Sequence, residues 1–286
     1  MFRHGTHVVK GYRTKDGAGV SLVRVLGNDT AEAFDPFLML DSFDSTDPDA
    51  YTAGFPLHPH RGIETVTYLA EGTIQHRDTM GFADAIHDGE VQWMCAGSGV
   101  EHEEMIPAAP RLLGIQLWLN LPQKDKMAHP SYHAIHRSDI ETIDLSGGVT
   151  VRLLAGTLED AEGKIRQGHA GEHLPLDFYD ISLAPGAAAI LPVAEEATAM
   201  AFTLEGSATI GGLPVGAKTA VKLEKGDGVK IEADADAPSH VLFLSSVALH
   251  EPIAWGGPIV MNTEEELLAA FREMEQGTFQ KEQLEH

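Results

Sequence analysis

A single cysteine, Cys95, occurs in 286 residues. It excludes an intrachain disulfide and predicts a chain suited to a reducing, cytoplasmic compartment. Long apolar runs are also missing: no stretch approaches the ~18 consecutive apolar residues that a transmembrane helix needs. The opening Met1-Phe2-Arg3-His4-Gly5 leads into polar, strand-like sequence, where a signal peptide would have an apolar core. Basic residues are scarce, 20 Lys and Arg against 43 Asp and Glu, for a formal net charge of −23. Such a surface repels nucleic-acid phosphates and anionic lipid, so neither direct nucleic-acid binding nor membrane adhesion is expected. There is no phosphate-cradling glycine loop and no supportable Ser-His-Asp arrangement, which ranks phosphoryl and acyl transfer low. The final Leu284-Glu285-His286 reads as a candidate expression-tag remnant and carries no functional weight.

What is present is an ordinary soluble composition, 43% hydrophobic and 22% charged, in a chain long enough for one large core or two smaller ones. Short apolar-rich segments alternate with glycine and turn residues, the pattern of an all-β sandwich or barrel. Strands are expected at Val20 to Leu26, Ile63 to Leu69, Val91 to Met94, Leu113 to Leu119, Val149 to Leu154, Phe178 to Leu183, Ala199 to Leu204 and Val241 to Ser245. Helix is expected near the C-terminus alone, from a capping residue at Asn262-Thr263 through Glu264-Glu265-Glu266 to a stop at Gly277. Tyr68-Leu69-Ala70-Glu71-Gly72-Thr73 is echoed 134 residues later by Phe202-Thr203-Leu204-Glu205-Gly206-Ser207. This weak repeat predicts two barrels of similar plan, 1–135 and 136–250, followed by a tail with a short helix, 251–286.

Ten of the fifteen histidines lie at or before His136. Two short sets stand out among them, His58-Pro59-His60 and His102-Glu103-Glu104. Side chains at i and i+2 of a strand share a face, so each set can aim two donors at one point. Three imidazoles and a carboxylate converging inside a barrel would suit a divalent transition metal such as Fe, Mn, Ni, Cu or Zn. Parity leaves two carboxylates open, Glu64 matching His60 and Glu104 matching His102. The same offset places Pro192, Ala194 and Thr198 where His58, His60 and Glu64 stand, so the second barrel is expected to lack the metal.

The segments Asp35-Pro36-Phe37-Leu38-Met39-Leu40-Asp41, Gly54-Phe55-Pro56-Leu57-His58-Pro59-His60-Arg61-Gly62-Ile63-Glu64 and Ala96-Gly97-Ser98-Gly99-Val100-Glu101-His102-Glu103-Glu104-Met105 resemble the pirin family of the cupin superfamily. The resemblance resumes at Gly256-Gly257-Pro258-Ile259-Val260-Met261-Asn262-Thr263, and is weakest between Leu154 and Ala248. It implies a bicupin, two cupin-type β-barrels, with one metal in the N-terminal barrel, usually iron, held by His58, His60, His102 and Glu104. It also implies an O₂-dependent dioxygenase on a flavonol-like, quercetin-type aromatic enediol. Glu104 would then serve as general base as well as ligand, since a carboxylate within hydrogen-bond reach of a substrate hydroxyl suits that work. The alternative is a non-catalytic iron protein whose redox state alters binding to a protein partner. The chain departs from the common pattern at Cys95, Glu101 and Phe82-Ala83-Asp84-Ala85, close to the expected site.

Around that site, Asp41, Glu64 and Gln116 are expected as partners for the outer ring nitrogens of the ligands. His76 reads as pocket lining on the hairpin of the His58 strand, and Trp93, Met94 and Phe55 as walls. Cys95 reads as packing, and His129, His133 and His136 as part of the connection between barrels.

Overall fold

The computed structural model describes residues 1–282, so the segment Leu284-Glu285-His286 lies outside them. Apolar-rich runs bounded by glycine and turn residues form strands where expected: Val20–Leu26, Ile63–Glu71, Val91–Cys95, Leu112–Asn120, Val149–Ala155, Leu176–Leu183, Thr198–Glu205 and Ser239–Ser246. A four-residue helix, Ala31–Phe34, adds to the C-terminal helix Glu264–Gln276. In the latter Thr263 is the N-cap, reciprocating with Glu266 in a capping box, and Gly277 closes the end at φ 69°. No helix among the described residues is long and apolar enough to cross a membrane.

The chain divides into two compact units, each a pair of antiparallel sheets of seven and four strands. The first comprises Arg13–His136 and the segment from Leu249 onward. Its large sheet runs Ser131–Ile135, Val91–Cys95, Ile63–Glu71, Leu112–Asn120, Phe37–Ser45, Val20–Leu26, Tyr12–Asp16. Its small sheet runs Phe55–His60, Val100–Met105, Ile74–Asp78, Ala83–Ile86. His133 therefore sits on an edge strand of this barrel, not in a connection. The helix packs here too: Leu267, Ala270, Phe271 and Met274 make one apolar stripe, which meets Ile259, Met261 and Phe279.

The second unit, Met1–Tyr12 with Arg137–Ala248, repeats the strand order. Ile63–Glu71 and Thr198–Glu205, which carry the sequence echo, are each third in their seven-stranded sheet. The strands matching Phe55–His60 and Val100–Met105 are Ala188–Pro192 and Gly228–Ala233. Their core-facing residues are Ala189, Leu191, Val229 and Ile231, all apolar.

A strictly sequential division at 1–135, 136–250 and 251–286 needs correcting at both ends. Strand Gly5–Lys10 pairs with Thr219–Leu223 of the second barrel, and the C-terminal segment belongs to the first. The physical reason is edge pairing: Thr219–Leu223 needs a partner for its outer row of N–H and C=O groups, and the N-terminus provides one. Arg3 secures the arrangement from inside the unit, donating to the carbonyls of Gly226, Ala197 and Ala194.

Candidate metal centre

The small sheet of the first barrel sets the site. Strand Val100–Met105 lies antiparallel to Phe55–His60, with His102 directly opposite His58 and Val100 opposite His60. His58 and His60 share a face by their two-residue spacing, so cross-strand pairing brings the third imidazole to the same point. The ring centroids lie 4.8 Å (His58–His60), 4.5 Å (His58–His102) and 5.1 Å (His60–His102) apart. One nitrogen from each ring falls within 4.8 Å of the others.

His60 and His102 are buried and His58 is half-buried. Burial, reinforced by the charge His58 would carry, pushes His60 down to about 3. Burial together with the neighbouring imidazoles pushes His102 well below the usual histidine range. Both rings are therefore neutral at neutral pH, the form that coordinates a metal.

The outer nitrogens find partners other than those expected. His58 Nδ1 donates to the Pro56 carbonyl at 2.9 Å, and His60 Nδ1 to the Pro258 carbonyl at 3.2 Å. A carbonyl accepts only, so both rings carry their proton on Nδ1 and leave Nε2 bare. His102 Nδ1 faces His76 Nδ1 at 3.4 Å. The three side chains expected in this role are engaged elsewhere: Asp41 with Arg24, Glu64 with the Trp93 indole, Gln116 with Glu104. His76 lies on Ile74–Asp78, which pairs with the His102 strand and not with the His58 strand.

Glu64 and Glu104, both open to parity, are separated by the backbone. Gly62, at φ 77°, turns the chain between Phe55–His60 and Ile63–Glu71, so alternation does not run through from His60 to Glu64. A Cβ on Gly62 would stand 2.0 Å from the Val260 carbonyl, so only glycine fits. Glu64 then alternates away from Thr67, whose hydroxyl meets Gln92 and Gln116. Glu104 lies on the His102 face and is buried, but outside the 4.8 Å group formed by the histidines. Its two oxygens are held by the side-chain amides of Gln92 and, at 2.7 Å, Gln116.

Sequence reasoning missed Gln92, Asp78, Trp118 and Tyr132. Trp118 meets His60 edge-on at 5.0 Å, and Tyr132 stacks on His76 at 4.2 Å. Alternation in Val91-Gln92-Trp93-Met94 placed Gln92 on the face opposite Trp93 and was a usable signal. Trp93 accordingly points to Glu64 while Met94 joins the apolar cluster containing Trp118 and Tyr132.

Four buried polar atoms here have no hydrogen-bond partner: His102 Nε2, Gln92 Oε1, Trp118 Nε1 and Tyr132 Oη. An orphaned buried nitrogen costs about 1–3 kcal/mol. His102 Nε2, beside two further Nε2 lone pairs, is such a nitrogen, and the donor set fits a divalent transition metal. Burial, with the charges of Asp84, Glu104 and Asp78, pushes the Tyr132 phenol above its usual range, so it stays a donor.

Comparison with known proteins identifies the family. The Pirin family model matches residues 19–119, and the model of the pirin C-terminal cupin domain matches 178–280. A pirin-like protein of Caulobacter vibrioides is 42% identical over 273 residues, covering 95% of this chain and 97% of that one. A Pseudomonas aeruginosa protein provisionally named quercetin 2,3-dioxygenase is 39% identical, covering 93% and 94%. A crystal structure of quercetin 2,3-dioxygenase from Acinetobacter baumannii superposes with a TM-score of 0.87 at 31% identity, covering 98% and 99%. With both domain models matched in order and two antiparallel double-sheet barrels to carry them, the chain belongs to the pirin family of cupins.

Proposed function

We propose that this pirin is a metal-dependent dioxygenase acting on a flavonol-like aromatic enediol. His58, His60 and His102 would hold one divalent transition metal, Fe(II) first, and Glu104 would serve as the carboxylate of the site, fourth donor and proton acceptor. The observation that carries the reading is the convergence of three imidazole nitrogens within 4.8 Å, one of them buried with no other partner. The names borne by the Pseudomonas and Acinetobacter relatives support the substrate class.

When bound, the metal supplies positive charge that lowers the pKa of a coordinated hydroxyl, and, if iron, a redox couple for O₂ chemistry. The protein's own groups do the rest. Gln92 and Gln116 donate to Glu104, leaving its carboxylate oriented and able to take the proton of a substrate hydroxyl. Tyr132 Oη and Trp118 Nε1, buried donors without internal partners, are suited to substrate oxygens. Met94 and the two aromatic rings keep the site apolar around these groups and limit water.

The test is oxygen uptake by Fe(II)-reconstituted protein with quercetin, following carbon monoxide release, with His58→Ala as control. Metal-dependent uptake with carbon monoxide is expected, and its loss in the variant. A metal-loaded protein that consumes no oxygen would overturn the enzyme reading and favour an iron-dependent regulator that binds a protein partner.

A further inference from the structure

His76 and Asp78 belong to none of the roles above, yet both are fully enclosed, with side chains 0% and 2% exposed. Asp78 is directly opposite His102 in the ladder, and His76 is opposite Glu104. The bonds between them form a chain with a defined direction. His76 Nε2 lies 2.9 Å from Asp78 Oδ2. A carboxylate accepts only, so His76 carries a proton on Nε2, and with a single proton on the ring Nδ1 is left as an acceptor. That acceptor lies 3.4 Å from His102 Nδ1, which must then be the protonated nitrogen of His102. His102 Nε2 is left bare, and it is the buried nitrogen that has no partner.

We infer that His76 and Asp78 are positioning residues that set the tautomer of His102 and so present its Nε2 lone pair to the metal. The inference rests on the three-histidine metal reading above. The carboxylate is fixed at its far end, since Asp78 Oδ1 accepts the backbone N–H groups of Met80 at 2.9 Å and Phe82 at 3.0 Å. Tyr132 holds the ring plane, stacking on His76 at 17° between planes. His58 and His60 have their tautomers set by backbone carbonyls, whereas His102 depends on side chains.

Asp78→Asn is the discriminating change because it is isosteric and its orientation is dictated. The N–H groups of Met80 and Phe82 require the amide oxygen at the Oδ1 position, which turns the NH₂ toward His76. His76 Nε2 must then accept, its proton moves to Nδ1, and His102 Nδ1 must accept in turn. The proton of His102 is displaced onto Nε2, where it blocks coordination.

Two readouts test this, neither depending on turnover. Long-range ¹H–¹⁵N correlation spectra of the metal-free protein at neutral pH should show His102 protonated on Nδ1 in the wild type and on Nε2 in Asp78→Asn. Chelator competition with Ni(II) as the probe should show about 10–100-fold weaker binding by the variant, the usual cost of losing an outer partner of a ligand histidine. A wild-type His102 protonated on Nε2 overturns the inference, as does a variant with unchanged tautomer and affinity. If the variant does not fold, the wild-type spectrum decides alone. A wild type that binds no Ni(II) but shows the expected tautomers would sink the metal reading and leave the relay standing.

Discussion

Replacing Arg61 with methionine removes the residue that joins the His58-Pro59-His60 strand to the C-terminal segment. Arg61 Nε donates to the Ser98 carbonyl at 2.7 Å, Nη2 to the Phe279 carbonyl at 2.6 Å, and Nη1 to Glu273 at 2.7 Å. Its guanidinium also lies 4.3 Å from the Phe279 ring centroid. Each charge-assisted bond to a carbonyl is worth about 1.5–3 kcal/mol. The ion pair adds about 0.5–1 kcal/mol, because the Glu273 side chain is 29% exposed and water screens it. The cation–π contact adds about 0.5–1 kcal/mol. Relief from burying a guanidinium offsets part of the total, so the expected loss is about 3–5 kcal/mol. Tryptophan fluorescence during urea unfolding reads this barrel selectively, because Trp93, Trp118 and Trp255 all belong to it. With a slope of about 2 kcal/mol per M, the midpoint should fall by about 1.5–2.5 M. A fall below about 0.5 M would show that the segment is not held by these bonds.

Two further outcomes follow from local geometry. Glu104→Gln should fold, since the unpartnered Gln92 Oε1 lets that amide flip and accept from the new NH₂; if Glu104 is the proton acceptor, kcat should fall about 10²–10⁴-fold in steady-state oxygen uptake, and an unchanged kcat would remove it from that role. Although burial lowers the pKa of His240, its bond to Asp180 and the charges of Asp180 and Glu205 outweigh this, so it titrates above the ordinary histidine value of 6.5. The native state therefore holds this proton more tightly than the unfolded chain, and the stabilisation is fully present below pH 6.5 and lost as pH rises through the folded pKa. The stability gap between wild type and His240→Gln should close with rising pH across that window, and a gap that widens would contradict the assignment.

Much of the first barrel's site could be read locally. The i, i+2 spacing of His58 and His60 needs only a strand to put both rings on one side, and the ladder supplied His102 opposite. Apolar-rich runs bounded by glycine and turn residues placed the eight expected strands within about two residues, and Thr263 and Gly277 bracketed the C-terminal helix through capping chemistry that acts within a turn. Features set by non-local approach were not legible in this way. Gly62 turns the chain because the Val260 carbonyl, far along the sequence, occupies the space a side chain would need, and that turn is what directs Glu64 out of the site.

The grip of Gln92 and Gln116 on Glu104 draws on three strands from both sheets of the barrel, and the alignment of Asp78, His76 and His102 needs Ile74–Asp78 and Val100–Met105 in register. The N-terminal strand joined the second barrel because a sheet edge takes whichever segment reaches it, and no residue in Gly5–Lys10 names that partner. Local alternation and spacing thus determined which side chains share a face and which residue types could bind metal. Only tertiary pairing decided which faces meet, because hydrogen-bond register between distant strands fixes tautomers, partners and the fate of each carboxylate.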